Sequence, residues 1–447
     1  MSFNGCSNPS DLRITDMRFV DIDGAPKRCT ILKIMTNQGI EGYGEVRDAA
    51  SKTYALMLKS RILGENPCNV DKIFRKIKQF GGHSRQGGGV SGVEIALWDL
   101  AGKAWGVPVW QLLGGKFRDE VRVYCDTDVD GKHTGHDMGL ALKKRMDMGF
   151  TFLKMDLGIG LLLDEPGCLN APLGFIDDMK TYASHVLNAQ GGSVTADMVK
   201  HQKSYQIVTT PHSMTGIHIT EKGLDYLESY VREVREVIGY EVPLAIDHFG
   251  HVALEDCIRF CRRMEKYNLA WVEDMAPWIY PDHLTRLRNA TTIPVCTGED
   301  IYLKEGYEEL MAKGCVSVLH PDILTCGGAL ELKKIGDLAE KYGVAVVIHM
   351  AESPIACMAA VHTAAAMQHV LALEFHSVDI PWWQDMVNGL PKPLIQNGYI
   401  QVPNTPGLGI ESLNEDLLRE HINPKIPGMW EDTSAWDQEF SNDRIWS

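Results

Sequence analysis

Three things are scarce in this sequence: paired cysteines, long apolar runs and positive charge. None of its eleven cysteines forms a CxxC pair, so a zinc ribbon and a dithiol redox motif are excluded, and the scatter fits a reducing cytoplasm. Cys257 and Cys261, four residues apart in "EDCIRFCRRM", predict a buried thiol pair on one helical face. No uninterrupted apolar stretch reaches the about 18 residues of a membrane span, and "MSFNGCSNPSDLR" lacks the basic-then-apolar order of a secretory leader. A net charge of −15 and a pI near 5.5 argue against nucleic acid or an anionic membrane as partner, because both require a basic surface. A homo-oligomeric cytoplasmic protein is expected.

What is present is a large soluble composition, 447 residues with 45% hydrophobic content, enough for two or three domains. Residues 13–21 and 29–36 are β-branched and strand-like, and "NQGIEGYGE" follows with turn glycines. Helical periodicity covers 48–63, 70–80 and 91–105, the last with an apolar stripe. This predicts an α+β first domain over 1–120. Beyond it, short apolar runs near 121–127, 151–156, 242–247, 269–273, 293–298, 316–320, 344–349 and 370–375 alternate with helical segments at 138–149, 223–238, 254–267, 304–313, 328–342 and 354–367. Eight such runs predict the buried parallel strands of a β/α barrel over 121–395. An irregular insertion at about 158–222 interrupts the alternation; its His185, His201, His212 and His218 read as surface residues.

The chemistry-bearing residues keep the same rhythm. Asp247, Glu273 and Glu299 close or follow successive strand-like runs at spacings of 26 residues, and Asp322, His349 and Glu374 continue at 23, 27 and 25. A lone carboxylate after an apolar run is usually a cap or a solvated loop residue. Six polar groups in register predict one functional mouth at the C-terminal ends of the strands. Three converging carboxylates repel one another unless a cation joins them, and an all-oxygen set suits Mg²⁺.

The stretches "SGVEIALWDLAGKAWGVPVWQLLGG", "AIDHFGH", "WVEDM", "TGED", "HPDILTCGG", "VIHMAES", "ALEFH" and "PGLGI", in this order over most of the chain, resemble the enolase superfamily, in its mandelate racemase/muconate lactonizing enzyme branch. The resemblance implies an N-terminal capping domain, a barrel, and a segment over 396–447 that returns to the cap. It also implies Mg²⁺ on Asp247, Glu273 and Glu299. Removal of a proton next to a carboxylate creates a second negative charge, which calls for positive charge at the oxygens and a base at the carbon; this superfamily supplies Mg²⁺ and a Lys or His base. His349 is then the base and Asp322 the carboxylate that fixes its tautomer. Glu374 falls where the family sets a carboxylic acid against the substrate carboxylate, a role that requires it protonated, as burial beside anions favours.

Strand two departs from the family. Racemases carry Lys-x-Lys there, whereas this chain has Lys154-Met155-Asp156. Alternation puts Lys154 and Asp156 on one face, so Asp156 occupies the place of a second base and a one-base elimination of water from a sugar acid is favoured. Dehydratases of this branch often carry a histidine two residues after the first metal ligand; Phe249 stands there, flanked by His248 and His251. His349 itself could return the proton in a syn elimination, or Lys154 or His248 could act in an anti one. The cap loops "VDIDGAPKR" and "GGHSRQGGGV" offer Lys27, Arg28, His83 and Arg85 for contacts with polyol or carboxylate groups. Two alternatives share these residues: a cycloisomerase or epimerase with the same first step, and a degenerate barrel that binds metal and acid without turnover.

Overall fold

A computed structural model describes residues 8–129, 131–174, 216–247 and 252–439. Its N-terminal part opens with a three-stranded antiparallel sheet, β1 (Ile14–Ile22), β2 (Cys29–Thr36) and β3 (Glu41–Val46), in sequential order. The β-branched content and inward alternation of these runs make the pairing. Helix α1 (Val70–Ile77) packs against α2 (Gly88–Trp105), and α2 lies on the sheet. Helix α2 is apolar nearly all round and ends at Gly106 in the left-handed region, φ 71°, where glycine carries no Cβ penalty. It approaches β3 so closely that a Cβ on Gly44 would strike the carbonyl oxygen of Gly92. A Cβ on Gly88 would likewise come 2.5 Å from Cβ of Arg47, so the glycines at the start of α2 leave room for the residue that emerges from β3.

All eight barrel strands expected from the apolar runs are present: β4 (Glu120–Cys125), β5 (Leu153–Asp156), β6 (Leu244–Asp247), β7 (Val272–Glu273), β8 (Val295–Thr297), β9 (Val318–Leu319), β10 (Ala345–Ile348) and β11 (Val370–Phe375). They pair in sequence order and β11 pairs back to β4, closing the sheet; Tyr399–Gln401 adds an antiparallel strand outside β4. The helices between them are α3 (Gly135–Asp147), α4 (Glu221–Ile238), α5 (Leu254–Met264), α6 (Pro281–Ala290), α7 (Lys304–Ala312), α8 (Ala329–Tyr342) and α9 (Pro354–Ala365). Of these, α6 has no counterpart in the periodicity; Pro281 at its first turn is its start signal. Cys257 and Cys261 are both buried on α5, as their spacing predicts.

One expectation fails in detail. The helix expected over 48–63 is two single turns, Thr53–Leu56 and Lys59–Ile62, because tertiary contacts override the local period. Lys59 is buried with Nζ 2.6 Å from both Asp16 and Asp437, and Arg61 Nη1 donates to Met57 O. In the insertion, Leu169–Asn170 pairs antiparallel with His218–Ile219, and His218 is exposed with Nδ1 3.1 Å from Asp256. His185, His201 and His212 lie outside the described residues. Among the described residues no helix is long and apolar enough to cross a membrane.

The chain divides into two compact units. One comprises Met1–Val123, Gly298–Glu308 and His320–Ser447; the other comprises Tyr124–Thr297 and Glu309–Leu319.

Candidate active site

In the second unit, the register of β5 on β6 sets Lys154 beside Ala245 and Asp156 beside Asp247. Lys154 is fully buried, and a buried ammonium needs compensating charge. It finds Asp247 Oδ2 at 2.7 Å and Glu273 Oε2 at 3.3 Å. Trp271, two residues before Glu273 on the same face of β7, donates its indole N–H to the same Oε2 at 2.9 Å. Asp274 follows with φ 46°; its carboxylate accepts from the hydroxyl of Thr297 at 2.5 Å. Oxygens of Asp247, Glu273 and Asp274 lie within 4.8 Å of one another. A buried all-oxygen cluster that already gathers an ammonium group fits a hard divalent cation. Asp274 is a carboxylate that the strand-end rhythm passed over.

In the first unit, Asp322 and His349 are joined by a parallel β-bridge just beyond β9 and β10. His349 Nδ1 stands 2.6 Å from Asp322 Oδ2. An ionised carboxylate only accepts, so the ring donates from Nδ1 in this contact and Nε2 is the nitrogen turned away from Asp322. The other oxygen of Asp322 accepts from the backbone N–H groups of Leu324 and Thr325 at 2.7 and 2.8 Å. His349 Nε2 looks toward Glu299 at 3.2 Å, two residues past the end of β8.

Arg47, the first residue after β3, completes this dyad, and nothing in the local sequence marks it. Its side chain is 1% exposed, with Nη1 on Asp322 Oδ2, 3.2 Å from His349 Nδ1 and 3.3 Å from Glu352 Oε1; Nε is 2.9 Å from Asp48 and Nη2 3.7 Å from Glu299. Burial pushes the Asp322 carboxyl upward, but the Arg47 guanidinium and then the His349 ring outweigh it and hold Asp322 well below the usual carboxylate range. Glu352 goes the other way. Burial first, and then the anionic Asp322 beside it, push Glu352 well above that range. The two carboxyls of the pair are thus pushed in opposite directions.

Glu374, the fifth residue of β11, is fully buried. Its described neighbours are imidazoles: His320 Nε2 at 3.2 Å, His376 Nε2 at 3.4 Å and His349 Nε2 at 3.8 Å. The missed neighbours were in plain view, His320 two residues before Asp322 and His376 two residues after Glu374, on the faces that alternation shares with those two residues.

Among the cap residues, Arg28 donates to the carbonyls of Ala49 and Ala50, both at 2.6 Å, and so braces the loop that carries Arg47. His83 Nδ1 accepts from the backbone N–H of Tyr302 at 3.0 Å. Lys27 and Arg85 converge on Asp48 at 3.8 and 3.2 Å, and Arg85 also reaches Asp300 at 3.4 Å. On the barrel side, Asp156 accompanies Asp247 in register, and its backbone N–H donates to Thr127 O at 3.0 Å. His248, Phe249 and His251 lie outside the described residues.

Residues 24–114 match the mandelate racemase/muconate lactonizing enzyme N-terminal domain and residues 196–417 the enolase C-terminal domain-like family. The chain is similar to a D-xylonate dehydratase of Haloferax volcanii, 30% identical over 421 residues, covering 92% of this chain and 89% of that protein. It is also similar to a D-galactonate dehydratase of Pectobacterium atrosepticum, 25% identical over 409 residues, covering 88% and 91%. A solved structure of a mandelate racemase/muconate lactonizing enzyme-like protein from Rubrobacter xylanophilus superimposes with a TM-score of 0.76 at 28% identity, over 94% of this chain and all of that one. A closed barrel of eight parallel strands, matches to both family domains, and a 30%-identical relative spanned over nearly its whole length lead to one conclusion: the chain belongs to the mandelate racemase/muconate lactonizing enzyme branch of the enolase superfamily.

Proposed function

We propose that this protein is a Mg²⁺-dependent dehydratase that converts an aldonate or aldarate sugar acid to a 2-keto-3-deoxy acid. The observation that carries the reading is the His349–Asp322 pair, Nδ1 2.6 Å from Oδ2, with the Arg47 guanidinium on the same carboxylate oxygen. The names of the D-xylonate and D-galactonate dehydratase relatives support the substrate class.

In this reading Asp247, Glu273 and Glu299 hold the cation, which when bound lends positive charge to the substrate carboxylate as its α-carbon is deprotonated. His349 Nε2 takes the C2 proton, while Asp322 and Arg47 hold the ring so that no reorganisation is needed at that moment. The C3 hydroxyl leaves with one proton, as water. That proton can come back from the His349 imidazolium, or from Lys154 or His248. The resulting C2–C3 enol then takes a proton at C3 and becomes the keto acid. Lys154 is engaged with Asp247 and Glu273, which supports a single base working on C2 and hence elimination over epimerisation. Glu374 and the cap residues Lys27, Arg28, His83 and Arg85 complete the proposed substrate contacts, with residues 1–120 as cap, 121–395 as barrel and 396–447 as the returning segment.

A library of aldonates and aldarates incubated with the protein and Mg²⁺, followed by NMR, tests the reading. One C2 epimer is expected to be consumed to a keto acid. Two epimers approaching equilibrium with no keto acid formed would overturn it.

A further inference from the structure

Two of the side-chain clusters among the described residues that could hold a cation differ in chemistry. The cluster of Asp247, Glu273 and Asp274 is all oxygen. In the first unit, His349, Glu374 and His376 bring two imidazole nitrogens and one carboxylate together, with ligand atoms all within 4.8 Å. We infer that His349, Glu374 and His376 form a second metal site, one that takes a borderline transition metal such as Zn²⁺ or Co²⁺ in preference to Mg²⁺.

The donor set is the first reason. Two histidines and one carboxylate suit zinc, iron or cobalt, whereas Mg²⁺ favours oxygen and keeps its waters. Spacing is the second. Donors around one tetrahedral zinc at about 2.0–2.1 Å lie about 3.3–3.4 Å from each other; Glu374 Oε1 stands 3.4 Å from His376 Nε2 and Glu374 Oε2 3.8 Å from His349 Nε2, so the carboxylate reaches both rings, one with each oxygen. The third reason is the support behind each ligand. A metal-bound imidazole usually donates its other N–H to a carboxylate, which fixes the ring and raises its basicity; His349 Nδ1 does this to Asp322 at 2.6 Å. Glu374 is steadied by His320 Nε2 at 3.2 Å. Access is the fourth: the His376 side chain is 21% exposed, while Glu374 is fully buried. The ring centroids of His349 and His376 are 5.9 Å apart.

Occupancy of this site uses His349 Nε2, the nitrogen assigned above to the C2 proton. Zinc would therefore inhibit turnover without displacing Mg²⁺ from Asp247 and Glu273; this consequence rests on the proposed reaction, whereas binding itself does not.

The test is calorimetric titration of the Mg²⁺-saturated protein with ZnCl₂, no substrate present, paired with the visible absorption of added Co²⁺. Wild type is expected to bind one Zn²⁺ per chain and to give Co²⁺ an absorption spectrum of low-symmetry coordination. His376→Ala and the size-matched His376→Asn are each expected to weaken Zn²⁺ at least tenfold and to abolish the Co²⁺ spectrum, with circular dichroism reporting the fold. Asp247→Asn, which removes a carboxylate of the all-oxygen cluster, should keep both signals. Unchanged Zn²⁺ affinity in either folded His376 variant would overturn the site, and so would loss of Zn²⁺ binding in folded Asp247→Asn. Because no substrate enters the titration, a failed dehydratase assay leaves this result standing, and a failed titration leaves the dehydratase reading standing.

Discussion

Two buried charge clusters serve this fold, and they differ in where their counter-charge comes from. Asp247 and Glu273 are compensated by Lys154, a neighbour in the same sheet. Asp322 is compensated by Arg47, which arrives from the end of β3 and is held at once by Asp48, Glu352 and Glu299. An ammonium on a flexible four-carbon stem can withdraw when a stronger cation arrives, whereas a guanidinium whose planar donors meet several carboxylates is fixed in place. The first arrangement suits exchange of the counter-charge. The second suits permanence, which the base role proposed for His349 would need.

Substitution of the base separates the clusters most sharply. His349→Asn should lower turnover by at least about 10³-fold, within the range removed with a general base, and should abolish exchange of the substrate α-proton in D₂O. Calorimetry should show Mg²⁺ affinity nearly intact. Glu273→Gln should do the reverse at the other cluster: a folded protein whose Mg²⁺ heat disappears, because one of the proposed charges on the cation is gone while the side-chain volume is kept. Wild-type Mg²⁺ binding in Glu273→Gln would take it out of the ligand set.

Paired removal of the counter-charges measures permanence against exchange. Arg47→Met should cost about 3–5 kcal/mol of stability, the usual result of stranding buried charge, and added Mg²⁺ should restore little of it. Lys154→Met should be destabilised in chelator and should recover with Mg²⁺, since a divalent cation can supply the charge the lysine supplied. Urea unfolding with and without Mg²⁺ reads both, and equal Mg²⁺ rescue of the two variants would erase the distinction.

The smallest effect concerns a histidine in neither cluster. His362 on α9 is fully buried, its Nδ1 accepting from Trp110 N–H at 3.3 Å, and burial lowers its pKa to about 4. A folded value below the ordinary about 6.5 means that the unfolded chain takes up the proton first as pH falls. Stability from this group is complete above about pH 6.5 and is lost progressively toward about pH 4. Between about pH 7 and about pH 5 the loss should be on the order of 2 kcal/mol, and urea midpoints for His362→Asn should show a correspondingly shallower fall.

Legibility followed sequence distance. The strand ends that carry Asp247, Glu273, Asp322 and His349 were readable because buried parallel strands are short apolar runs, and each βα unit has nearly the same length. Glu374 was found by the same rhythm, but its imidazole neighbours were not, since His320 and His376 each looked like one more polar residue near a strand end. Arg47 gave no sign at all: it lies 302 residues from His349, and an arginine after a strand is ordinarily solvated. The broken helix at 53–62 has the same origin, since the pull of Asp16 and Asp437 on Lys59 is invisible to a periodicity confined to neighbours.

The sequence by itself determined the barrel, the order of its strands, and the positions of the acids and the histidine at their ends, because alternation, run length and spacing are local quantities. Only the tertiary structure decided what each group faces. It set Arg47 on Asp322, pushed the Glu352 carboxyl well above its ordinary range beside it and brought imidazoles to Glu374, and the state of a buried charge depends on the charges within a few ångströms, whatever their distance along the chain.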